Sequence, residues 1–201
     1  MTGNPARAGW VRFPQHFHLL SGEPESHSAL TAEEKAAWSD RTCGLASLRT
    51  ILAYHRLPVP SQTELLSTAI ESDYFTDRGI LHTGLSELAT SHGLSGHAVK
   101  VADVRELFDL ADRGYPSIVS VAHKLPSDGR RGGHLVVATG TVPGSDDVWF
   151  VDPSRWGRRN SQVPVDRFAA SFSGRAILYW PTAGPRPTLP TQPDGSRAAR
   201  C

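Results

Sequence analysis

Apolar residues in the first half of the chain recur at helical spacing, and from about His97 the period falls to two. Thr31-Ala32-Glu33-Glu34 has the form of a capping box, which predicts a short helix to about Trp38 and then a tight turn at Ser39-Asp40. In the next run Leu45, Leu48 and Leu52 share one helical face with Ile51 beside them, so a helix is predicted from Cys43 until Pro58 and Pro60 stop it. Ser61-Gln62-Thr63-Glu64 opens another helix to about Glu71, and Asp77-Arg78-Gly79 reads as a turn. Thr83 to His92 is a further helix, with Leu81, Leu85, Leu88 and Ala89 as its apolar stripe and Gly93 just past its end.

Beyond it, His97 to Val101 alternates as a strand, and Ala102 to Arg113 carries a helical stripe of Val104, Leu107, Leu110 and Ala111. Pro116 to Ala122, His134 to Thr139 and Asp147 to Val151 are predicted strands, the last two joined through Pro143-Gly144-Ser145 as an antiparallel hairpin. Val165 to Phe172 is a short helix and Arg175 to Trp180 a closing strand. Helices followed by an antiparallel sheet predict an α+β fold. Residues 1–30 read as an irregular arm, with His16 to Leu20 a short strand or packed segment; 31–181 form one domain; 182–201, with Pro185, Pro187, Pro190 and Pro193, read as a disordered tail.

Composition narrows the function classes. The chain has 201 residues and a formal net charge of +1, which gives no electrostatic basis for binding nucleic acid or an anionic membrane. Its opening has no apolar signal core and no run is long enough to span a bilayer, so a cytoplasmic protein is expected. Two cysteines, Cys43 and Cys201, make neither a disulfide framework nor a zinc ribbon. His16 and His18 are spaced to share one strand face, but nothing nearby completes a metal site, so no metal or other cofactor is expected.

Cys43 is the informative cysteine. At a helix N-terminus the positive end of the dipole favours thiolate, the form that acts as a nucleophile. A cysteine nucleophile needs a base, and the base needs an orienting group. His134 opens an apolar strand directly after Gly132-Gly133, whose lack of side chains lets a substrate backbone approach closely. Asp152 closes the facing strand, so hairpin register puts it within reach of His134. Cys43, His134 and Asp152 are therefore the candidate catalytic residues.

Thr42-Cys43-Gly44-Leu45-Ala46-Ser47, then Gly133-His134-Leu135-Val136-Val137, then Val151-Asp152-Pro153 resemble, in that order, the motifs of the papain-like cysteine peptidases that process double-glycine bacteriocin leader peptides. The resemblance is closer to their stand-alone bacterial relatives and covers about Ser39 to Trp180. It implies a papain-like fold in which an N-terminal helical lobe carrying the cysteine packs on a C-terminal antiparallel sheet. By it, Cys43 is the nucleophile, His134 the general base and then acid, and Asp152 the orienter. The absence of a fused transporter segment implies that the secretion-coupled role does not carry over.

That family also places a glutamine a few residues before the cysteine, where its amide donates to the oxyanion. Here none lies between Ser21 and Cys43. Loss of such a donor costs roughly 3 kcal/mol in the transition state. Trp38 or Ser39 is the nearest substitute, and an ionised Asp40 would oppose the charge. The expected function is a cysteine peptidase or amidase acting through a Cys43 thioester on a peptide or acyl substrate. An acyl or amide transferase, with Arg130 and Arg131 receiving an acidic peptide or a phosphate-bearing carrier arm, is the second reading. A degenerate fold that binds peptide without catalysis is the third.

Overall fold

The computed structural model describes residues 9–20, 30–76 and 79–189. In chain order the helices are α1 (Ala32–Trp38), α2 (Cys43–Tyr54), α3 (Gln62–Glu71), α4 (His82–Thr90), α5 (Arg105–Asp112) and α6 (Val165–Ser171). The strands are β1 (Phe75–Thr76), β2 (Gly79–Ile80), β3 (Leu94–Lys100), β4 (Ser117–Val121), β5 (His134–Thr141), β6 (Asp147–Val151), β7 (Gln162–Pro164) and β8 (Phe172–Pro181). β1 and β2 form a small hairpin, and the rest form one antiparallel sheet in the order β3-β8-β4-β5-β6-β7. The fold is α+β, as the sequence pattern predicted, and papain-like, as the resemblance implied. Among the described residues no helix is long and apolar enough to cross a membrane.

The caps that the sequence advertises are made. Thr31 Oγ1 accepts from the Glu34 N–H while Glu34 Oε2 accepts from the Thr31 N–H, and Ser61 Oγ accepts from the Glu64 N–H. Gly93 (φ +84°) and Gly114 (φ +91°) follow α4 and α5 in the left-handed conformation. Of the Asp77-Arg78-Gly79 turn, Asp77 and Arg78 lie outside the described residues.

The sheet is buried on both faces, which explains why β4 and β5 read as nearly continuous apolar runs. Ile118, Leu135, Val137, Ile177 and Tyr179 pack against α2, α3 and α4. Their strand neighbours Val119, Val136, Ala138, Ala176 and Leu178 face a second core with Leu107, Phe108 and Leu110 of α5 and Phe168 of α6. The helical lobe is thus one layer of three. Against the expectation of an unpacked tail, Leu189 is buried in the second core and the Arg186 guanidinium lies over the Trp180 ring; residues 190–201 lie outside the described residues.

Among the described residues the N-terminal arm forms no strand. Extended backbone leads to a 3-10 turn at Phe17–Leu19, and the arm is clamped across both lobes. Trp10 stacks on Tyr54 of α2 with ring centroids 4.4 Å apart, and the Arg49 guanidinium of α2 lies over the Phe13 ring. On the sheet side Arg12 donates from Nε to the Asp152 carbonyl (2.7 Å) and from Nη2 to the carbonyls of Pro153 (2.9 Å) and Ser154.

Candidate active site

Cys43 is the first residue of α2. Thr42 supplies no side-chain cap, and the first bond spanning the turn runs from the Ala46 N–H to the Thr42 carbonyl. The N–H groups of Cys43, Gly44 and Leu45 therefore have no acceptor within the helix. Gly44 is needed for close packing: a Cβ there would come within 2.6 Å of Ile80 Cγ2 and 2.9 Å of Leu135 Cδ1. The helix start is thereby pressed onto β5, beside His134. Ser47, one turn further on, donates from Oγ to the Leu135 carbonyl (3.2 Å) and fixes the helix against the strand.

His134 stands at the start of β5, an interior strand of the sheet. Gly132 (φ +73°) and Gly133 (φ +89°) lead into it in a conformation that a side chain would strain. This backbone requirement, in addition to space for a substrate, accounts for the glycine pair. The β5–β6 register pairs Val137 with Val151, with an irregularity between Ala138 and Gly140, so Asp152 lies one step past the last pair and reaches His134 diagonally. Nε2 of His134 and Oδ1 of Asp152 are 2.9 Å apart. Ionised Asp152 only accepts, so Nε2 carries the proton and Nδ1 is the ring nitrogen left for Cys43, with which His134 also shares a hydrogen bond.

All three residues are buried: Cys43 is 8% exposed, His134 7% and Asp152 1%. Burial alone would disfavour the imidazolium, yet the hydrogen bonds to Asp152 and Cys43 and their charges push His134 up to about 10. Burial likewise opposes ionisation of Asp152, but His134 and the Ser154 N–H (2.7 Å to Oδ1) hold it below the ordinary carboxylate value. The His134 value lies above its ordinary 6.5, so its contribution to stability is full below about pH 6.5 and is lost as pH rises through about 10. Thermal melting points of the wild type are expected to fall over that alkaline interval, and those of His134→Gln to lack that fall.

Asp152 is held from behind by Gly157, in the 3-10 turn Trp156–Arg158. A Cβ at Gly157 would lie 2.2 Å from the Asp152 carbonyl oxygen and 2.4 Å from its Cβ. Gly157→Ala is expected to destabilise the fold by about 1–3 kcal/mol in denaturant titrations and to shift the carboxylate away from His134. The folded variant should then lose the alkaline transition of His134.

Gln15 is the candidate site residue that sequence reasoning missed. It is 6% exposed and lines the same cleft as His134. Its N–H donates to the Pro153 carbonyl (3.0 Å), and its carbonyl accepts from Thr42 Oγ1 (2.7 Å) and Gln62 Nε2 (2.6 Å). Gln15 is thus fixed between the residue before Cys43 and the residue after Asp152. Its side-chain amide is loosely held, with Nε2 3.4 Å from the Ser39 carbonyl and Oε1 without a partner among the described residues. Of the donors expected to substitute, Ser39 Oγ is engaged with the Lys35 carbonyl, and the Trp38 ring packs on Phe75. Asp40 is exposed at the cleft, 3.3 Å from His16 Nε2.

His123, just past β4, sets its ring edge-to-face on His134 with centroids 5.2 Å apart. Donor atoms of His123, His134 and Asp152 lie within 4.8 Å of one another, so a divalent ion could be held there. It would compete for the nitrogen that bonds Asp152. Arg130 is paired with Asp128 (2.8 Å), and neither it nor Arg131 is among the residues lining the cleft.

A cysteine at a central helix start, hydrogen-bonded to a histidine–aspartate pair on an antiparallel sheet, is the architecture of papain-like cysteine peptidases. The chain belongs to the peptidase C39 family, whose model matches residues 36–184. The peptidase domain of Streptococcus ComA, a bifunctional ABC transporter involved in quorum sensing, is 26% identical over 70% of this chain and 92% of its own, with a TM-score of 0.55. A double-glycine-motif protease from an AMS/PCAT transporter, solved with its leader peptide, is 22% identical over 70% and 84%, with a TM-score of 0.51. A C39-like peptidase from Bacillus anthracis is 18% identical over 70% and 89%, with a TM-score of 0.52. No curated protein sequence matches the chain.

Proposed function

We propose that the chain is a peptide-cleaving cysteine hydrolase of the leader-processing type, with Cys43 as nucleophile, His134 as general base and acid, Asp152 as orienter and Gln15 as oxyanion donor. The observation that carries this reading is the buried line Cys43–His134–Asp152, of which His134 lines the cleft. His134 takes the thiol proton, and Sγ of Cys43 attacks the substrate carbonyl carbon, forming a C–S bond while the carbonyl electron pair moves onto oxygen. The Cys43 N–H and Gln15 Nε2 donate to that oxyanion. Collapse breaks the C–N bond as His134 gives its proton to the leaving amine. Water then attacks the thioester, His134 takes its proton, and the C–S bond breaks to release the acid.

The reading in which this fold merely binds peptide rested on a missing glutamine, and Gln15 removes that motive. The test is labelling with iodoacetamide near neutral pH, followed by release of nitrophenolate from a p-nitrophenyl acyl ester. Cys43 is expected to alkylate faster than Cys201 and to form an acyl adduct that His134→Ala slows. If Cys43 labels no faster than Cys201 and His134→Ala changes nothing, the proposal fails. Adding an amine such as glycine separates transfer from hydrolysis by product mass.

A further inference from the structure

The cleft beside Cys43 and His134 has a volume of about 750 Å³, and its walls carry His16, His123, Lys124, Arg155 and Arg159 against one acid, Asp40. A second hollow of about 600 Å³ shares Arg155 and Arg159 with it and adds Arg12 and Arg158, with no carboxylate in its lining. The two form a continuous cationic band leading away from the nucleophile. Since the whole chain carries a formal charge of only +1, this is a local concentration of charge.

Asp40 and Asp152 offset the inner end of the band, at His16, His123 and Arg12. Among the described residues the ion pairs of arginines and of Lys124's neighbours leave Lys124, Arg155, Arg158 and Arg159 without a carboxylate partner. Arg155 instead places Nη2 2.9 Å from Nε2 of His18. The cations also act on one another. Burial holds Arg12 below its ordinary value, with Asp152 opposing that and Arg158 adding to it; burial lowers His16, with Asp40 opposing and Arg155 and His18 adding to it. Burial lowers His123 too, with His134 and Lys124 reinforcing it against the pull of Asp152. An anionic occupant would relieve this repulsion.

The geometry points to an acidic peptide segment, rich in Asp and Glu and flanking the scissile bond, as the substrate chemistry that this band selects. This rests on the reading of Cys43 as the nucleophile. A phosphate group is best held where several donors converge on one point or at a helix N-terminus. Here Lys124, Arg155, Arg158 and Arg159 are exposed and spread over two adjoining hollows, which suits an extended chain with charges at successive positions.

The experiment uses the full chain and neutral epoxysuccinyl diamides that carry triglutamate, triglutamine or trilysine on both sides of the electrophile. The glutamate probe is expected to label Cys43 about tenfold faster than the glutamine probe, and the lysine probe more slowly than either. High salt should shrink that advantage, and the double variant Arg158→Glu/Arg159→Glu should abolish or reverse it. Equal rates for the three probes, with iodoacetamide still labelling Cys43 ahead of Cys201, overturn the acidic-peptide inference and leave the nucleophile reading standing. Failure of iodoacetamide to prefer Cys43 overturns both. Protection of Cys43 by pantetheine 4′-phosphate where oligoglutamate gives none overturns it in favour of a phosphate-bearing arm.

Discussion

Replacing Gln15 with alanine is expected to slow acylation of Cys43 by a p-nitrophenyl ester by about two to three orders of magnitude, the loss that follows removal of one oxyanion-hole donor. Alkylation of the same thiol by iodoacetamide should change little, because displacement of iodide develops no oxyanion. That contrast separates a donor from a brace. The contacts that fix the arm at this position are made by the Gln15 main chain, to Pro153, Thr42 and Gln62, and the substitution leaves them in place. If ester acylation and alkylation fall together, Gln15 supports the fold and does not stabilise the transition state.

The second large effect belongs to Asp152. Asp152→Ala leaves the His134 Nε2–H and the Ser154 N–H without their acceptor in a buried site, at a cost of about 1–3 kcal/mol for each orphaned donor. The imidazole also loses the group that fixes its tautomer, and ester acylation should fall by about two to four orders of magnitude. Asp152→Asn should behave differently. Its Oδ1 can still face both donors and keep the proton on Nε2, so most of the orientation survives while the charge is lost. The expected result is a smaller loss of rate, with the alkaline limb of the pH–rate profile moved down from about 10, since the aspartate charge helps to hold His134 protonated. Equal losses in the two variants would mean that charge, and not orientation, is what Asp152 provides.

Much of this was legible in the residues. The α2 stripe of Leu45, Leu48 and Leu52, the capping boxes at Thr31 and Ser61, and the glycines at 93 and 114 act over a few residues, so local spacing is enough to read them. The His134–Asp152 contact was also legible, because a hairpin relates residues by counting from its turn; the irregularity between Ala138 and Gly140 shifts the register by one residue and so brings Asp152 onto the face of His134, where the two meet diagonally. The strand β7 and the buried Leu189 were not legible, since three residues and a proline-rich stretch carry no period.

Gln15 escaped for a different reason. The family model begins at residue 36, and the capped helix α1, Ala32–Trp38, stands between Gln15 and Cys43, so no short spacing links the two. What joins them is a set of hydrogen bonds from Thr42 and Gln62 to the Gln15 carbonyl and from the Gln15 N–H to Pro153. Arg12, bound to the carbonyls of residues 152–154, and Gly157, pressed against Asp152, escaped in the same way.

By itself the sequence determined the helices, the hairpin and the trio Cys43, His134 and Asp152, because periodicity, caps and register are local properties of a chain. Only the tertiary structure decided that an arm from outside the matched domain is bonded to the residue before the cysteine, and that Lys124, Arg155, Arg158 and Arg159 gather along the cleft and its adjoining hollow while Arg130 is tied to Asp128. Those are relations between segments far apart in the chain, fixed by packing and by where buried backbone groups find their hydrogen-bond partners.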